Sequence, residues 1–158
     1  EKQLRLAIEV SMPVFLHQRD AAADFAEILG AVRQELPDAC VHCFTGDLEA
    51  LEQVLALDCH IGITGWICDG RRGRELQEIV DRIPDDRLLI ETDAPYLIPR
   101  SLRPRPKTRR NEPQWLTEVR DTVARCRDQS PEHIAEITTA NARRFFRLDA
   151  AETERARA

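Results

Sequence analysis

The sequence predicts an α/β fold in which parallel strands alternate with crossover helices. Three observations support this prediction. Short apolar runs recur along the chain, a helical pattern follows each of them, and the units repeat at intervals of about 20 to 30 residues. Polar residues able to bind a cation lie at the ends of three of these runs, so candidate chemistry gathers at the carboxyl ends of the strands.

The first unit follows a short amphipathic helix over residues 1–10, which Ser11-Met12-Pro13 ends. Val14–His17 is then predicted to be a short buried strand with His17 at its carboxyl end. The segment that follows, up to about Leu36, has apolar residues at helical spacing and is predicted to be a helix.

The second unit repeats this design. Ala39–Phe44 is the second predicted strand, and it carries His42 near its carboxyl end. Asp47 is a predicted N-cap for a helix over Leu48–Leu57, because an aspartate side chain accepts a bond from the first turn. A histidine thus follows an apolar strand twice in succession.

The third and fourth units complete the predicted sheet. His60–Trp66 is the third strand, and a polar loop over residues 68–73 and a helix to about Ile83 follow it. Leu88–Asp93 is the fourth strand. Side chains alternate along a strand, so Glu91 and Asp93 point to the same side, with Glu91 one layer deeper. Two acids there favour a cation, and solvated or arginine-paired acids are the alternative.

Two more helices are predicted after a basic loop. Asn111 is the predicted N-cap of the first, and Ser130 opens the second. Residues 1–148 are expected to form one domain, whereas residues 149–158 lack a core pattern and are expected to be a frayed polar tail. The residues of the last helix that are predicted to face inward are Ile134, Ile137, Ala140, Phe145 and Phe146.

The charge of the chain is acidic overall and basic in one place. The 158 residues carry a formal net charge of -5, which argues against coating nucleic acid by bulk attraction. The segment Arg100–Arg110 nevertheless holds several arginines and a lysine and no acid, so it offers phosphate contacts. A solvated, proline-rich loop is the alternative. No apolar run has the length of a membrane span.

The five cysteines predict a reducing compartment. Their number is odd and most lie in apolar segments, which favours unpaired core thiols in a cytoplasmic protein. Cys40, His42 and Cys43, with Cys59 and His60, superficially resemble a structural zinc site. Cys40 and Cys43 would face opposite sides of one strand, which argues against that alternative.

The chain has no initiating methionine and begins within a helical pattern, so we expect it to be part of a longer protein. It has no pattern of a signal peptide.

Three candidate ligands are predicted to converge at one edge of the sheet. His17, His42 and Asp93 each lie at the carboxyl end of a predicted strand, and these ends meet on one face of a parallel sheet. Two imidazoles and a carboxylate suit a catalytic divalent ion with open positions. A single histidine at a strand end is more often a hydrogen-bonded core residue, but three such positions favour the metal site.

Five ordered motifs carry a specific resemblance: Pro13–Ala21, Val41–Gly46, Ile61–Trp66, Leu89–Leu97 and Arg109–Pro113. In this order they resemble the TatD family of metal-dependent deoxyribonucleases. The similarity extends from Glu1 to about Leu148. Two motifs of the family are absent, an N-terminal His-x-His and a Gly-Glu-x-Gly-Leu-Asp segment whose glutamate is a metal ligand.

The resemblance implies a (β/α)8 TIM barrel, of which this chain holds the C-terminal four βα units and the C-terminal helices. It implies one or two divalent ions, Mg²⁺ first, with Zn²⁺ and Mn²⁺ as alternatives. His17, His42 and Asp93 would be ligands, and Asp93 would also polarise the attacking water or take its proton. Glu91 would orient a ligand, and a buried salt bridge is its alternative.

The resemblance also implies a 3′-5′ deoxyribonuclease acting on single-stranded or frayed DNA. The alternatives are a barrel hydrolase of a small amide or ester, and a non-catalytic fragment that needs the missing N-terminal half. The oligomeric state does not follow from the sequence. Asn111 is equally well explained by helix capping. Trp66 and Tyr96 would stack unpaired bases. The candidate substrate-binding residues are Arg19, Trp66, Arg71, Arg72, Tyr96, Arg109, Arg110 and Asn111.

Overall fold

The computed structural model describes residues 1–148, which form a four-stranded parallel sheet with helices packed against it. All the pairings between neighbouring strands are parallel. In this part of the chain, the first and last strands form the two edges of the sheet, as consecutive βα units require. The strands, which lie in this order, are β1 (Val14–His17), β2 (Ala39–His42), β3 (His60–Ile63) and β4 (Leu88–Ile90).

The helices between the strands return the chain from one end of the sheet to the other. The α-helices of the described residues are α1 (Lys2–Glu9), α2 (Ala22–Gly30), α3 (Leu48–Ala56), α4 (Arg74–Ile79), α5 (Leu116–Cys126) and α6 (Pro131–Phe145). Short 3₁₀ helices occupy Arg33–Glu35, Gly65–Cys68, Val80–Arg82, Asp85–Arg87 and Pro113–Trp115. Across residues 1–148, no helix is both long enough and apolar enough to cross a bilayer.

The core lies between the sheet and its helices. Strand β3 is buried along its whole length, as a strand covered on both faces should be. Helix α5 packs on the 3₁₀ helix after β3, and α6 packs on β4. Fully or almost fully buried apolar side chains include Leu29, Leu51, Ile61, Ile63, Leu88, Val119, Val123 and Ile134.

Two predicted N-caps are confirmed. The Asp47 side chain accepts a hydrogen bond of 2.9 Å from the backbone N–H of Ala50 at the start of α3. The Ser130 hydroxyl accepts one of 3.1 Å from His133 at the start of α6. Each cap satisfies a backbone donor that the first helical turn leaves unpaired.

The predicted strand ends are wrong by two or three residues in β2, β3 and β4, because the chain turns earlier. Cys43, directly after β2, adopts a left-handed backbone conformation with φ of 49°. Thr64, after β3, caps a 3₁₀ helix by accepting a bond from the N–H of Trp66. After β4, Glu91 makes a last parallel bond to the carbonyl of Ile63, and then the chain leaves the sheet.

Two predicted helices are also shorter. Helix α2 ends at Gly30 rather than near Leu36, and α4 ends at Ile79 rather than near Ile83. A 3₁₀ helix follows in both cases, which tightens the exit of the chain. The side chain of Arg33 anchors the first of these by donating to the carbonyls of Leu36, Leu57 and Asp58.

The predicted inner face of α6 is partly wrong. Ile134 and Phe145 are buried as predicted, but Ala140 is exposed and Phe146 is half exposed. The buried positions include Asn141, whose amide donates to the carbonyls of Asp85 and Leu88, so a polar side chain does part of the packing on β4.

The five cysteines are unpaired, and all but Cys126 are buried, which confirms the prediction of free core thiols. The predicted frayed tail, residues 149–158, lies outside the described residues.

Candidate active site

The two predicted histidine ligands are neighbours at the carboxyl ends of β1 and β2. The register of the two strands pairs His17 directly with His42, and the ring centroids lie 5.2 Å apart. The His17 ring is exposed, whereas His42 is partly buried and has Phe15 on its other side at 5.0 Å. Parallel pairing therefore brings the two imidazoles together, as the sequence predicted.

Both predicted acids approach the same atom of His42. The Oε1 atom of Glu91 lies 3.3 Å from Nδ1 of His42, and Oδ1 of Asp93 lies 3.9 Å from it. Oε1 of Glu91 also accepts a hydrogen bond of 2.5 Å from the backbone N–H of Cys43. An imidazole whose Nδ1 faces a carboxylate keeps its Nε2 available for a ligand, which is the usual arrangement behind a metal-bound histidine.

Glu91 is held in a space that only a glycine leaves open. A Cβ atom on Gly62 of β3 would collide with the Glu91 carboxylate. The Glu91 side chain is only 17% exposed. Burial raises the pKa of Glu91, although the Cys43 N–H and His42 favour the charged form. A carboxylate in this position gains from a nearby cation.

The chemistry of these donors fits a divalent cation. The ion pairs that the structure gives Glu91 and Asp93 are both with His42, so the acids outnumber the cationic groups beside them. Imidazole nitrogen with carboxylate oxygen is a set that Mn²⁺ and Zn²⁺ accept, and Mg²⁺ binds through the carboxylates. Within residues 1–148, however, no three His, Cys, Asp or Glu side chains are grouped closely enough to hold an ion by themselves.

The alternative of a structural zinc site gains no support. Burial raises the pKa of the Cys43 thiol to about 11 and raises that of Cys40 still further. Without a bound cation, both are therefore neutral core thiols near neutral pH.

Four of the predicted substrate residues line one cavity of about 280 Å³, together with residues 95–98 of the loop that follows Asp93. The cavity also contains Asp69 and Arg100, which the sequence analysis did not single out as site residues. The loop after β4 forms one wall, and its N–H at Tyr96 bonds to the carbonyl of Asp93 at 2.6 Å. The predicted residues in this cavity are Trp66, Arg72, Tyr96 and Arg109.

The other predicted arginines are not brought into that cavity. Arg19 lines a separate cleft of about 430 Å³ that it shares with Asp47 and Trp66. Arg71 and Arg110 are exposed on the surface. A larger cleft of about 620 Å³ is lined by residues of the basic loop, among them Arg100, Arg105 and Arg109.

Asn111 is placed inside the fold. Its side chain is 2% exposed and donates to the carbonyls of Tyr96 at 2.6 Å and Leu97 at 3.3 Å. Its oxygen accepts a bond from the N–H of Glu112, at the start of the 3₁₀ helix that precedes α5. These bonds fix the loop that carries Tyr96.

Comparison with known proteins gives a family and several relatives. The sequence profile of TatD-related DNases matches residues 1–147. The chain is 55% identical over 148 residues to the 3′-5′ ssDNA/RNA exonuclease TatD of Erwinia billingiae, covering 94% of this chain and 57% of that protein. It is 53% identical to the protein of the same name from Pectobacterium parmentieri, with 92% and 56% covered. The chain thus spans a little over half the length of these relatives.

Solved structures show the same architecture. The crystal structure of YJJV, a TatD homologue from Escherichia coli K12, superposes with a TM-score of 0.81 at 28% identity, covering 92% of this chain and 54% of that one. A hydrolase of the TatD family from Entamoeba histolytica gives a TM-score of 0.80 at 23% identity. These likenesses and the four parallel strands confirm the predicted fold class.

Proposed function

This chain belongs to the family of TatD-related DNases, and on that premise we propose that it supplies catalytic and strand-binding residues of a metal-dependent 3′-5′ exonuclease. The substrate is single-stranded DNA, and the names of the Erwinia and Pectobacterium relatives extend it to RNA. The unpaired buried thiols support a cytoplasmic location.

One observation carries this proposal. His17 and His42 come from two strands, and Glu91 and Asp93 come from the segment after β4, yet both acids lie within 3.9 Å of one nitrogen of His42, and the His17 ring is adjacent. A hydrolase needs this convergence of donors at the mouth of a barrel. A sheet stabilised for its own sake would pair such acids with arginines.

We assign the ion to His17, His42 and Asp93, together with a ligand that the described residues do not contain. A bound divalent ion supplies positive charge for the phosphoryl oxygens and a water that is nucleophilic near neutral pH. Asp93 would accept a proton from the attacking water as general base. Glu91 contacts His42 from the buried side and holds its ring in place.

The strand-binding residues are those of the 280 Å³ cavity, which the loop after Asp93 helps to line. Tyr96 is 74% exposed and offers a flat ring on which an unpaired base stacks. Arg72 and Arg109 supply positive charge to the phosphates. Asn111 shapes this cavity from inside by holding the Tyr96 loop, and we do not assign it a substrate contact. Arg19, Arg71 and Arg110 remain candidates for a longer strand.

The test is a chimaera in which residues 1–147 replace the matching segment of the Erwinia billingiae exonuclease. With Mg²⁺ it should release nucleotides from the 3′ end of single-stranded DNA, and chelation should stop the reaction. Asp93→Asn should lower the rate by roughly 10² to 10⁴-fold, since it removes a base and a ligand charge. The readout is product release from a 5′-labelled oligonucleotide.

The matched control is Glu78→Gln, which removes a carboxylate that is 63% exposed on α4 and pairs with Arg74. It should leave the rate unchanged. Hydrolysis of a small ester without release of nucleotides would instead favour the barrel hydrolase of another substrate class. Full activity of the Asp93→Asn chimaera would contradict the assignment of the site.

A further inference from the structure

Asp69 is a buried carboxylate placed between two arginines from distant parts of the chain. Its side chain is only 6% exposed. Its Oδ2 atom lies 3.0 Å from Nε of Arg72 and 3.1 Å from Nε of Arg100. Its Oδ1 atom accepts backbone N–H bonds from Arg71 at 3.0 Å and from Arg72 at 3.1 Å. These bonds, the one from Arg71 first, lower the pKa of Asp69 to about 2.

Arg72 donates its Nε–H to Asp69, and Nε is also the atom through which Arg100 pairs with it. Among the described residues, none accepts a hydrogen bond from the terminal amino groups of Arg72 or Arg100. A guanidinium that pairs with a carboxylate through Nε keeps its outer edge available, and that edge matches two oxygens of a phosphate. One carboxylate between two guanidiniums also leaves positive charge in excess, and Arg109 adds to it at the same cavity.

Trp66 holds Arg72 in place. Because the Arg72 guanidinium covers one face of the indole ring, a base could stack on the other face only. The Arg72 guanidinium lies over its ring at 4.7 Å from the centroid. Its indole N–H donates to the carbonyl of Arg72 at 3.1 Å. The indole and the guanidinium therefore hold each other in place.

The ring of Tyr96 is positioned by a close approach between two backbone segments. A Cβ atom on Gly65 would collide with the carbonyl of Leu97, so the glycine allows the loop after β4 to lie against the loop after β3. Asn111 fixes the same loop from the other side. Tyr96 thus lies beside the two arginines, three residues after Asp93.

We propose that Asp69 is a positioning residue that holds Arg72 and Arg100 as a binding site for a phosphate of the nucleic-acid strand next to the one that is cleaved. The base of that nucleotide stacks on Tyr96. This inference rests on the proposed function for the identity of the ligand, but its test does not require hydrolysis.

Charge alone and positioning predict opposite results for Asp69→Asn. If the cluster acts only through its net charge, removal of a carboxylate strengthens binding of a polyanion. If Asp69 positions the arginines, the substitution weakens binding by about tenfold, the scale of a charged hydrogen bond. The slope of log affinity against log salt should also fall by about 0.7 for each phosphate that the variant no longer neutralises.

The experiment measures fluorescence anisotropy of a labelled ten-residue oligothymidylate with the full 158-residue chain, at several salt concentrations and without metal. Asp81→Asn is the matched control, because Asp81 is an exposed acid 3.9 Å from Arg82 and lies outside the cavity. It should bind as the unsubstituted chain does, or slightly more tightly. Circular dichroism shows whether each variant is folded.

Arg100→Gln keeps the test decisive if Asp69→Asn does not fold, since the Arg100 side chain is 61% exposed. It should weaken binding, and Arg100→Lys should restore little of it because an ammonium group lacks the planar fork. Unchanged or tighter binding by Asp69→Asn, unchanged binding by Arg100→Gln, or no binding by the unsubstituted chain overturns the proposal. Hydrolysis by the chimaera decides the proposed function separately, whatever these affinities are.

Discussion

The two ends of the parallel sheet differ in how their acidic side chains are paired. At the amino ends of the strands, Asp58 precedes β3 and contacts both Arg33 and Arg87. Asp85 precedes β4 and pairs with Arg127, whose side chain is 5% exposed. These acids and arginines compensate one another within the chain.

At the carboxyl ends, Glu91 and Asp93 share one histidine as their ion-pair partner. The fold therefore balances charge at one end of the sheet and, around His42, leaves negative charge in excess at the other. In a barrel enzyme the amino end serves stability and the carboxyl end serves chemistry. Substitutions at the two ends should accordingly separate stability from activity.

The largest effect on stability is expected for Arg127→Ala. The guanidinium donates to the carbonyls of Val80 at 2.8 Å and Ile83 at 2.6 Å as well as pairing with Asp85. Its removal leaves two buried carbonyls without a donor, whereas Asp85 keeps only His133, at 3.0 Å, of its two ion-pair partners. We expect the free energy of unfolding to fall by about 3 to 5 kcal/mol, measured by urea denaturation of the chain.

Arg74→Ala is the control for this prediction, because Arg74 is 77% exposed and pairs with Glu78 across one helical turn. Its effect should stay below about 0.5 kcal/mol. In the chimaera, Arg127→Ala should not change the rate per folded molecule. A loss of rate without a loss of stability would show that the two ends are not separable.

Glu91→Gln should weaken metal binding rather than lower stability. Glutamine keeps an oxygen that can accept the Cys43 N–H bond, but it removes the negative charge behind His42. The affinity of the chimaera for Mg²⁺ should fall by about 10 to 100-fold, as for other partners of a metal-bound histidine. Metal titration of the rate measures this change.

The same substitution should not lower the free energy of unfolding, because it removes a charge whose burial is unfavourable. A loss of stability comparable to that of Arg127→Ala would place Glu91 with the structural ion pairs. That outcome is the alternative that the sequence left open for this residue.

The sequence was sufficient to predict the pair of histidines, for a simple reason. Parallel strands present their carboxyl ends at one edge of the sheet, so a histidine near each of these ends was expected to lie close to the other. The register that pairs His17 directly with His42 comes from the structure, because the second strand was predicted to extend to Phe44. The acids were predicted on an extended strand through Asp93, whereas the strand ends at Ile90. Glu91 still reaches His42, because Gly62 leaves room for its side chain.

The cluster around Asp69 could not be predicted in this way. Asp69 lies in a polar loop whose composition indicates exposure, yet Arg72 and the distant Arg100 cover it. A contact between two loops depends on how both are folded, and alternation within a strand carries no information about it. The burial of Asn111 could not be predicted for the same reason, since it depends on carbonyls of the loop that carries Tyr96.

The smallest effect on the free energy of unfolding is expected for Asp38→Asn, at the amino end of β2. Burial raises the pKa of Asp38, but the contact with Nε2 of His60 at 3.2 Å and the bond from the Ala39 N–H outweigh it, and the net pKa is lowered from 3.8. A lowered pKa means that the native state favours the charged form, so this stabilisation is present above pH 3.8 and is lost as the pH falls below it. Asp38→Asn should therefore cost about 1 kcal/mol at pH 7 and progressively less in acid. Urea denaturation at several pH values measures the difference, and a difference that did not shrink below pH 3.8 would mean that packing, not charge, stabilises this end of the sheet.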